Sequence, residues 1–482
     1  MPRRPRVTHC GFALVLVLCM GVLAVAISLT AAAAAEDTSE HVPHYGGGAR
    51  RSLCPAGPIC SRAHTPFALK FKYCNKVTSF FTSFFGGGGG GGKIDFRHFP
   101  LQLPFATDTA MRQLAKAGLE HLLLMRLIGQ DHLQQELLDV LFKKLYFPAT
   151  PLVLHLAGDN GVGKSYTAKL ISLALSLRCG ADGDGGCEAG DALLTISGTA
   201  YDNEPVALAR ARIVEQVTDF STRHPHGVVL LDDVTAMDPE LVRSLAPLLG
   251  RAAYFSDQLF ENATAPDSAA EPRLLRRLGP SLRHLLVIVT TDFGKQGRTV
   301  GLTTSEIRAM VLEEFSALYG SLLPAYTRTF IYVPFTEQTA VEVVLATIDY
   351  LPCQLLLASG GAAALRASEI DADAAAFLVH KYREVWQGRE NGHALRRALE
   401  DEVLTPLLLA MEELQQQPAR HGRGQRRAAA ASTLWDPAAA TDVRFFLDAA
   451  QWRIHFSLLQ YGEVVYTAGE PSGAWGEVEG DL

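Results

Sequence analysis

The sequence predicts an α/β fold built on a parallel sheet, and three observations carry that prediction. Between an apolar stretch at 152–156 and a helical pattern at 166–177 lies Gly158-Asp159-Asn160-Gly161-Val162-Gly163-Lys164-Ser165, which fits the phosphate-loop pattern G-x-x-x-x-G-K-[ST] in its required strand-to-helix setting. A second apolar run, Val228-Val229-Leu230-Leu231, ends in Asp232-Asp233. From about 110 to 415 helical and strand signals alternate, and the strand candidates are continuously apolar, as parallel strands covered on both faces must be.

The elements follow in chain order. Arg3, Arg4 and Arg6 precede a nearly unbroken apolar run over 10–35. A basic head before such a run is a secretory entry signal, and residues 1–35 fit either a cleaved signal peptide or an uncleaved signal anchor, being longer than the ~20 residues a bilayer span needs. Residues 36–109 read as a low-complexity tether, glycine- and arginine-rich at 44–51 and polyglycine at 86–92, which no packed core requires. Within it, Phe80, Phe81, Phe84 and Phe85 alternate with Ser and Thr, as a poorly ordered apolar segment or one touching a membrane or partner. Residues 110–335 form the nucleotide-binding domain. There 111–126, 132–146, 206–220 and 239–249 are helical, while 192–197, 228–231 and 285–289 are strands. A small helical lid is expected over 336–415, then a linker over 416–440 with Arg420, Arg423, Arg426 and Arg427. Short aromatic and branched runs at 443–447 and 452–466 predict a small β-like appendage over 441–482.

A formal charge of −7 over 482 residues excludes the strong basic balance of a nucleic-acid binder. Outside the leading segment lie Cys54, Cys60, Cys74, Cys179, Cys187 and Cys353. Cys179 and Cys187 bracket a Gly/Asp-rich loop, where a disulfide staple and two thiols fit equally well. The sequon Asn262-Ala263-Thr264 suits glycosylation in a luminal compartment.

The chemistry rests on the two motifs. Glycines allow backbone N–H groups to turn around phosphates, Lys164 reaches the β/γ oxygens, and the helix N-terminus adds a favourable dipole. The expected ligand is a nucleoside triphosphate with Mg²⁺, the metal held by Ser165 and Asp232, with Tyr166 next along the helix. Asp233 is then the candidate general base, since a buried strand delivers both carboxylates to the sheet edge where such folds bind ligands.

On these residues the chain resembles AAA+ ATPases of the Clp-like clade, and most of all the torsins. The resemblance also runs through Leu127-Ile128-Gly129-Gln130, Met237-Asp238-Pro239-Glu240-Leu241, the helix ending Leu245-Ala246-Pro247-Leu248-Leu249, residues 287–294, and Tyr332-Val333-Pro334-Phe335. It implies that Ile128 and Gly129 contact adenine, that Asp292 stands at the sensor-1 position, and that the helix from Asn391 closes over the nucleotide. Asp233 replaces a glutamate and is one methylene shorter, and Asp292 replaces an asparagine. His393 takes the place of the arginine or lysine of the lid, so that either Arg396 substitutes for it or closure couples to pH. Arg328 is either an arginine finger for a neighbouring subunit or a surface charge. The resemblance implies an ATP hydrolase of the endoplasmic reticulum lumen or nuclear envelope. It would work as a homo-oligomer or with a membrane-bound activator, and remodel a protein client or membrane assembly. Membrane association would run through the N-terminal segment. A hydrolysis-poor ATP switch and a threading unfoldase are the rival expectations.

Overall fold

The computed structural model describes residues 57–62, 64–70, 74, 108–180, 187, 189–255, 281–292, 299, 301–319, 327–358, 365–416 and 439–468. The entry signal, the tether's aromatic and polyglycine runs, Asn262 and the arginine-bearing linker lie outside the described residues. Among those described, no helix is long and apolar enough to cross a membrane.

Five parallel strands form the central sheet: β1 (Leu152–Ala157), β2 (Leu193–Ser197), β3 (Val228–Asp232), β4 (Leu286–Thr291) and β5 (Arg328–Ile331). Their spatial order is β2-β3-β4-β1-β5. Register places Leu152 opposite Leu286, Ser197 opposite Asp232 and Leu154 opposite Arg328. Side chains alternate between two buried clusters, as the period of a strand demands. Leu154, Leu156, Leu230 and Ile288 join α1 (Thr109–Arg126), α2 (Asp131–Tyr146) and α3 (Lys164–Leu175). Val153, Val229, Val287 and Val289 join α4 (Val206–Arg223), α5 (Pro239–Ser244) and α6 (Thr304–Tyr319). Covering both faces is what makes the inner strands β1, β3 and β4 mostly apolar, while the edge strands β2 and β5 carry more polar residues.

Helix starts carry their chemical signatures. Asp108 caps α1 by accepting from Ala110 N and Met111 N at 3.1 and 3.3 Å, and Asp238 caps α5 from Glu240 N at 2.7 Å with Pro239 at the first position. The expected helix over 239–249 breaks after Ser244, and its continuation ends at Gly250, whose φ of 85° is left-handed. The strand expected over 285–289 runs on to Thr291, which matters for the site.

The lid departs from expectation. It contains α7 (Glu337–Ala358), α8 (Ala372–Lys381), α9 (Asn391–Leu399) and α10 (Thr405–Gln416), but also a strand, β6 (Leu365–Ile370). That strand pairs in parallel with β7 (Thr441–Asp448), which continues antiparallel into β8 (Arg453–Gln460) and β9 (Glu463–Thr467). Phe445, Phe456 and Leu458 share one buried cluster with Ala374, Leu378, Leu395 and Val403. A purely helical lid with a separate appendage is therefore corrected to a single α+β unit. The reason is physical, since three strands with one apolar face need a partner layer to bury it.

Cys60 is bonded to Cys74 and Cys179 to Cys187, so the loop after α3 is stapled. Cys353 in α7 is disulfide-bonded as well.

Candidate functional site

The loop 158–163 leaves β1 at the carboxyl edge of the sheet and enters α3 at Lys164. Its carbonyls are engaged one after another. Lys164 Nζ donates to Gly158 O at 2.9 Å and to Asp159 O. Asn391 Nδ2 donates to Asn160 O at 2.9 Å, and Gly392 N to Gly161 O at 3.0 Å. Gly161 has φ 74°, and a Cβ there would lie 2.1 Å from the Glu390 carbonyl oxygen, so both the turn and the close lid require glycine. Val162 is buried beneath the loop, in the same apolar cluster as Leu127.

Lys164 is 8 % exposed. Burial pushes its pKa down, against the opposing pull of Asp292, Asp159, Asp232 and Asp233. Asp159 is 4 % exposed, accepts from Thr299 Oγ1, and keeps Oδ1 without a hydrogen-bond partner. Burial raises its pKa, as expected for a carboxylate losing water.

Opposite the loop, Ser165 Oγ donates to Asp232 Oδ1 at 2.5 Å. Thr290 Oγ1 donates to the same oxygen at 2.7 Å and accepts from Asp233 N at 2.7 Å. Asp233 has φ 52°, in the left-handed region that Asp tolerates better than most residues. Thr235 Oγ1 donates to Asp233 Oδ1. Asp292 follows β4 directly, and its charge acts on Lys164 and Asp159. A hydroxyl from the first turn of α3 and a carboxylate from the end of β3 are hard oxygen donors, the set Mg²⁺ takes when phosphates and water complete its shell. Among the described residues no group of three or more His, Cys, Asp and Glu forms a separate metal cage. The residues present thus fit a metal shared with a bound phosphate.

Ile128 and Gly129, expected to contact adenine, lie between α1 and α2, where Gly129 has φ 75° and a Cβ would meet Thr339 Cγ2 at 2.2 Å. Gln130, fully buried, donates to Val333 O at 2.9 Å and accepts from Val333 N at 3.1 Å. Tyr332 Oη donates to Thr167 Oγ1 at 2.8 Å, which ties the same stretch to α3. Tyr166 is 37 % exposed, and the Arg126 guanidinium lies 5.7 Å from its ring and 3.4 Å from that of Tyr350 in the lid.

His393 sits close enough to feel Lys164. Its pKa is lowered by burial first, then by Lys164 and Arg396. Arg396 Nε donates to Glu400 Oε1 at 2.7 Å along the exposed side of α9. Arg328 stays apart from this assembly. It begins β5 opposite Leu154, three positions before the end of β1, and its exposed guanidinium is 4.0 Å from Glu136 Oε1.

The sequence reading assigned no individual role to Gln130, Thr290, Thr299 or Asn391, although Gln130 and Asn391 stood in stretches it singled out. Thr290-Thr291 at the end of an apolar strand was the one available signal, two hydroxyls placed where a core strand has no need of them. No protein-family model matches the chain, and no curated protein matches it either.

Proposed function

We propose that the chain is a torsin-like AAA+ ATPase of the secretory pathway, in which binding and hydrolysis of ATP drive remodelling of a protein or membrane assembly through self-association or a membrane-bound activator. The reading is carried by the Ser165 Oγ to Asp232 Oδ1 bond, which joins two motifs 67 residues apart in sequence. The strand order β2-β3-β4-β1-β5 and a lid hydrogen-bonded to the phosphate loop support it further.

In this reading Lys164 exchanges its two carbonyl partners for phosphate oxygens. Ser165 and Asp232 would hold Mg²⁺, and the metal would supply positive charge against the negative charge developing on the transferred phosphoryl group. Asp233, aimed by Thr235 and by its own N–H bond to Thr290, orients or deprotonates a water. His393, held neutral, lends no charge to the phosphates, so Arg396 is the cation of α9 that would have to turn inward from Glu400.

Calorimetric titration of the purified full chain with ATP, with and without Mg²⁺, tests this. Wild type should bind in a Mg²⁺-dependent manner. Lys164→Ala should weaken binding by about 10- to 100-fold, matching about 1.5–3 kcal/mol for hydrogen bonds from a charged donor. Absence of Mg²⁺-dependent affinity in wild type would sink the proposal. The short Asp233 side chain favours one second reading, a hydrolysis-poor switch. That alternative predicts normal binding with equally negligible turnover in wild type and Asp233→Asn.

A further inference from the structure

We infer that Thr290 is the positioning residue that sets both acidic groups of this site, a role that rests on the nucleotide reading above. The side chain is 1 % exposed on a strand whose preceding residues, Leu286 to Val289, are all apolar. A valine would fill that place equally well if packing were the whole of its task. Its hydroxyl instead lies between the two carboxylate residues, donating its single proton to Asp232 Oδ1 at 2.7 Å and accepting the Asp233 N–H at 2.7 Å. One proton and two lone pairs allow that double duty.

The consequences differ for the two aspartates. Asp232 Oδ1 accepts hydrogen bonds from both Ser165 and Thr290, which restrains the plane of the carboxylate and leaves Oδ2 outside those two bonds. For Asp233, the bond to its N–H anchors a left-handed backbone at φ 52°, and the direction of the carboxylate follows from that backbone. A single hydroxyl therefore couples metal binding to the aim of the candidate base. Such outer partners of metal ligands are worth about 10–100-fold in metal affinity or activity when removed.

The test compares Thr290→Val, which keeps the shape and removes the hydroxyl, with Thr290→Ser, which keeps the hydroxyl. The full chain is used, with ATP as ligand and Mg²⁺ titrated. Single-turnover hydrolysis is followed in parallel. In Thr290→Val the Mg²⁺ concentration needed for tight ATP binding should rise about tenfold or more, while affinity for metal-free ATP stays near wild type. Thr290→Ser should recover most of the loss in both Mg²⁺ requirement and rate. Unchanged Mg²⁺ dependence in Thr290→Val, or a serine variant no better than valine, overturns the inference. Where valine melts early, Thr290→Ala against Thr290→Ser isolates the same hydroxyl, and equal Mg²⁺ requirements for those two overturn it. A wild type without Mg²⁺-dependent ATP binding defeats the nucleotide reading itself, a result distinct from a wild type that binds normally beside an unaffected Thr290→Val.

Discussion

His155 sits in the middle of β1 with 1 % exposure, a costly place for an imidazole unless it stays neutral and hydrogen-bonded. Nε2 bonds with Thr291 Oγ1 at 2.8 Å and Nδ1 with Thr329 Oγ1 at 3.3 Å, and the ring lies 4.7 Å from that of Phe315. Burial, helped by Lys164, drives its pKa down to about 3, and burial takes His226 down to about 4. The unfolded chain gains these protons near pH 6.5, whereas the folded chain refuses them until far lower. Stability is therefore complete above about 6.5 and falls as pH drops, by about 1.4 kcal/mol per pH unit for each such histidine. Urea midpoints measured between pH 7 and 4.5 should decline on that slope, and His155→Gln should flatten it by about one proton. Identical slopes in the two proteins would refute the assignment. At this scale the sequence was half legible. Lys164 and Ser165 stand out through the G-x-x-x-x-G-K-[ST] pattern and Asp232 through the acidic end of an apolar run, and the structure brings Ser165 and Asp232 into contact. His155 does not stand out, since a lone histidine in a strand also suits simple packing, and Thr290 shows only as one of two adjacent hydroxyls, while their partners lie 136 and 58 residues away.

Between elements, the decisive contact is the one between α9 and the phosphate loop. Asn391 is buried, adopts φ 38°, and spans two segments. Its Nδ2 donates to Asn160 O at 2.9 Å, and its Oδ1 accepts from Phe335 N at 3.3 Å where the lid begins. Strain of that kind persists only where surrounding bonds over-determine it. Gly392 then approaches so closely that a Cβ would stand 2.7 Å from Gly161 O. Gly392→Ala should force lid and loop apart by several tenths of an ångström. Amide exchange should speed up across Asn391–Leu399 while β1, β3 and β4 keep their protection, and unaltered exchange in α9 would contradict the contact. β1 to β4 were readable because apolar residues dominate them, whereas β5, Arg328-Thr329-Phe330-Ile331, carries no such run and was not expected as a strand. β6 was not, because Leu365-Arg366-Ala367-Ser368-Glu369-Ile370 exposes its charged residues and resembles ordinary surface chain. Only its pairing with β7, 76 residues away for Arg366 and Asp442, makes it a strand.

For the molecule as a whole, the two sheets divide the labour, and the second one packs residues 441–467 beneath the lid helices that reach the proposed nucleotide site. β7 and β8 place Phe445 and Phe456 with ring centroids 5.9 Å apart against the lid helices, Phe445 fully buried. Those helices include α9, whose first residues hold the phosphate loop. A change in the C-terminal strands should therefore reach the distant loop through a packed core rather than through any direct bond. Removing a buried phenyl ring costs about 3–5 kcal/mol, the lost transfer energy plus the cavity left behind. Phe445→Ala should accordingly lower the urea midpoint, speed amide exchange through Ala372–Lys381 and Asn391–Leu399, and weaken ATP binding, although Phe445 would touch no nucleotide. The central sheet, with its own two clusters, should keep its slow exchange. If α8 and α9 exchange as in wild type after Phe445→Ala, the strands are a mere attachment. If they loosen together with the loop, the C-terminal sheet is part of the lid that serves the site.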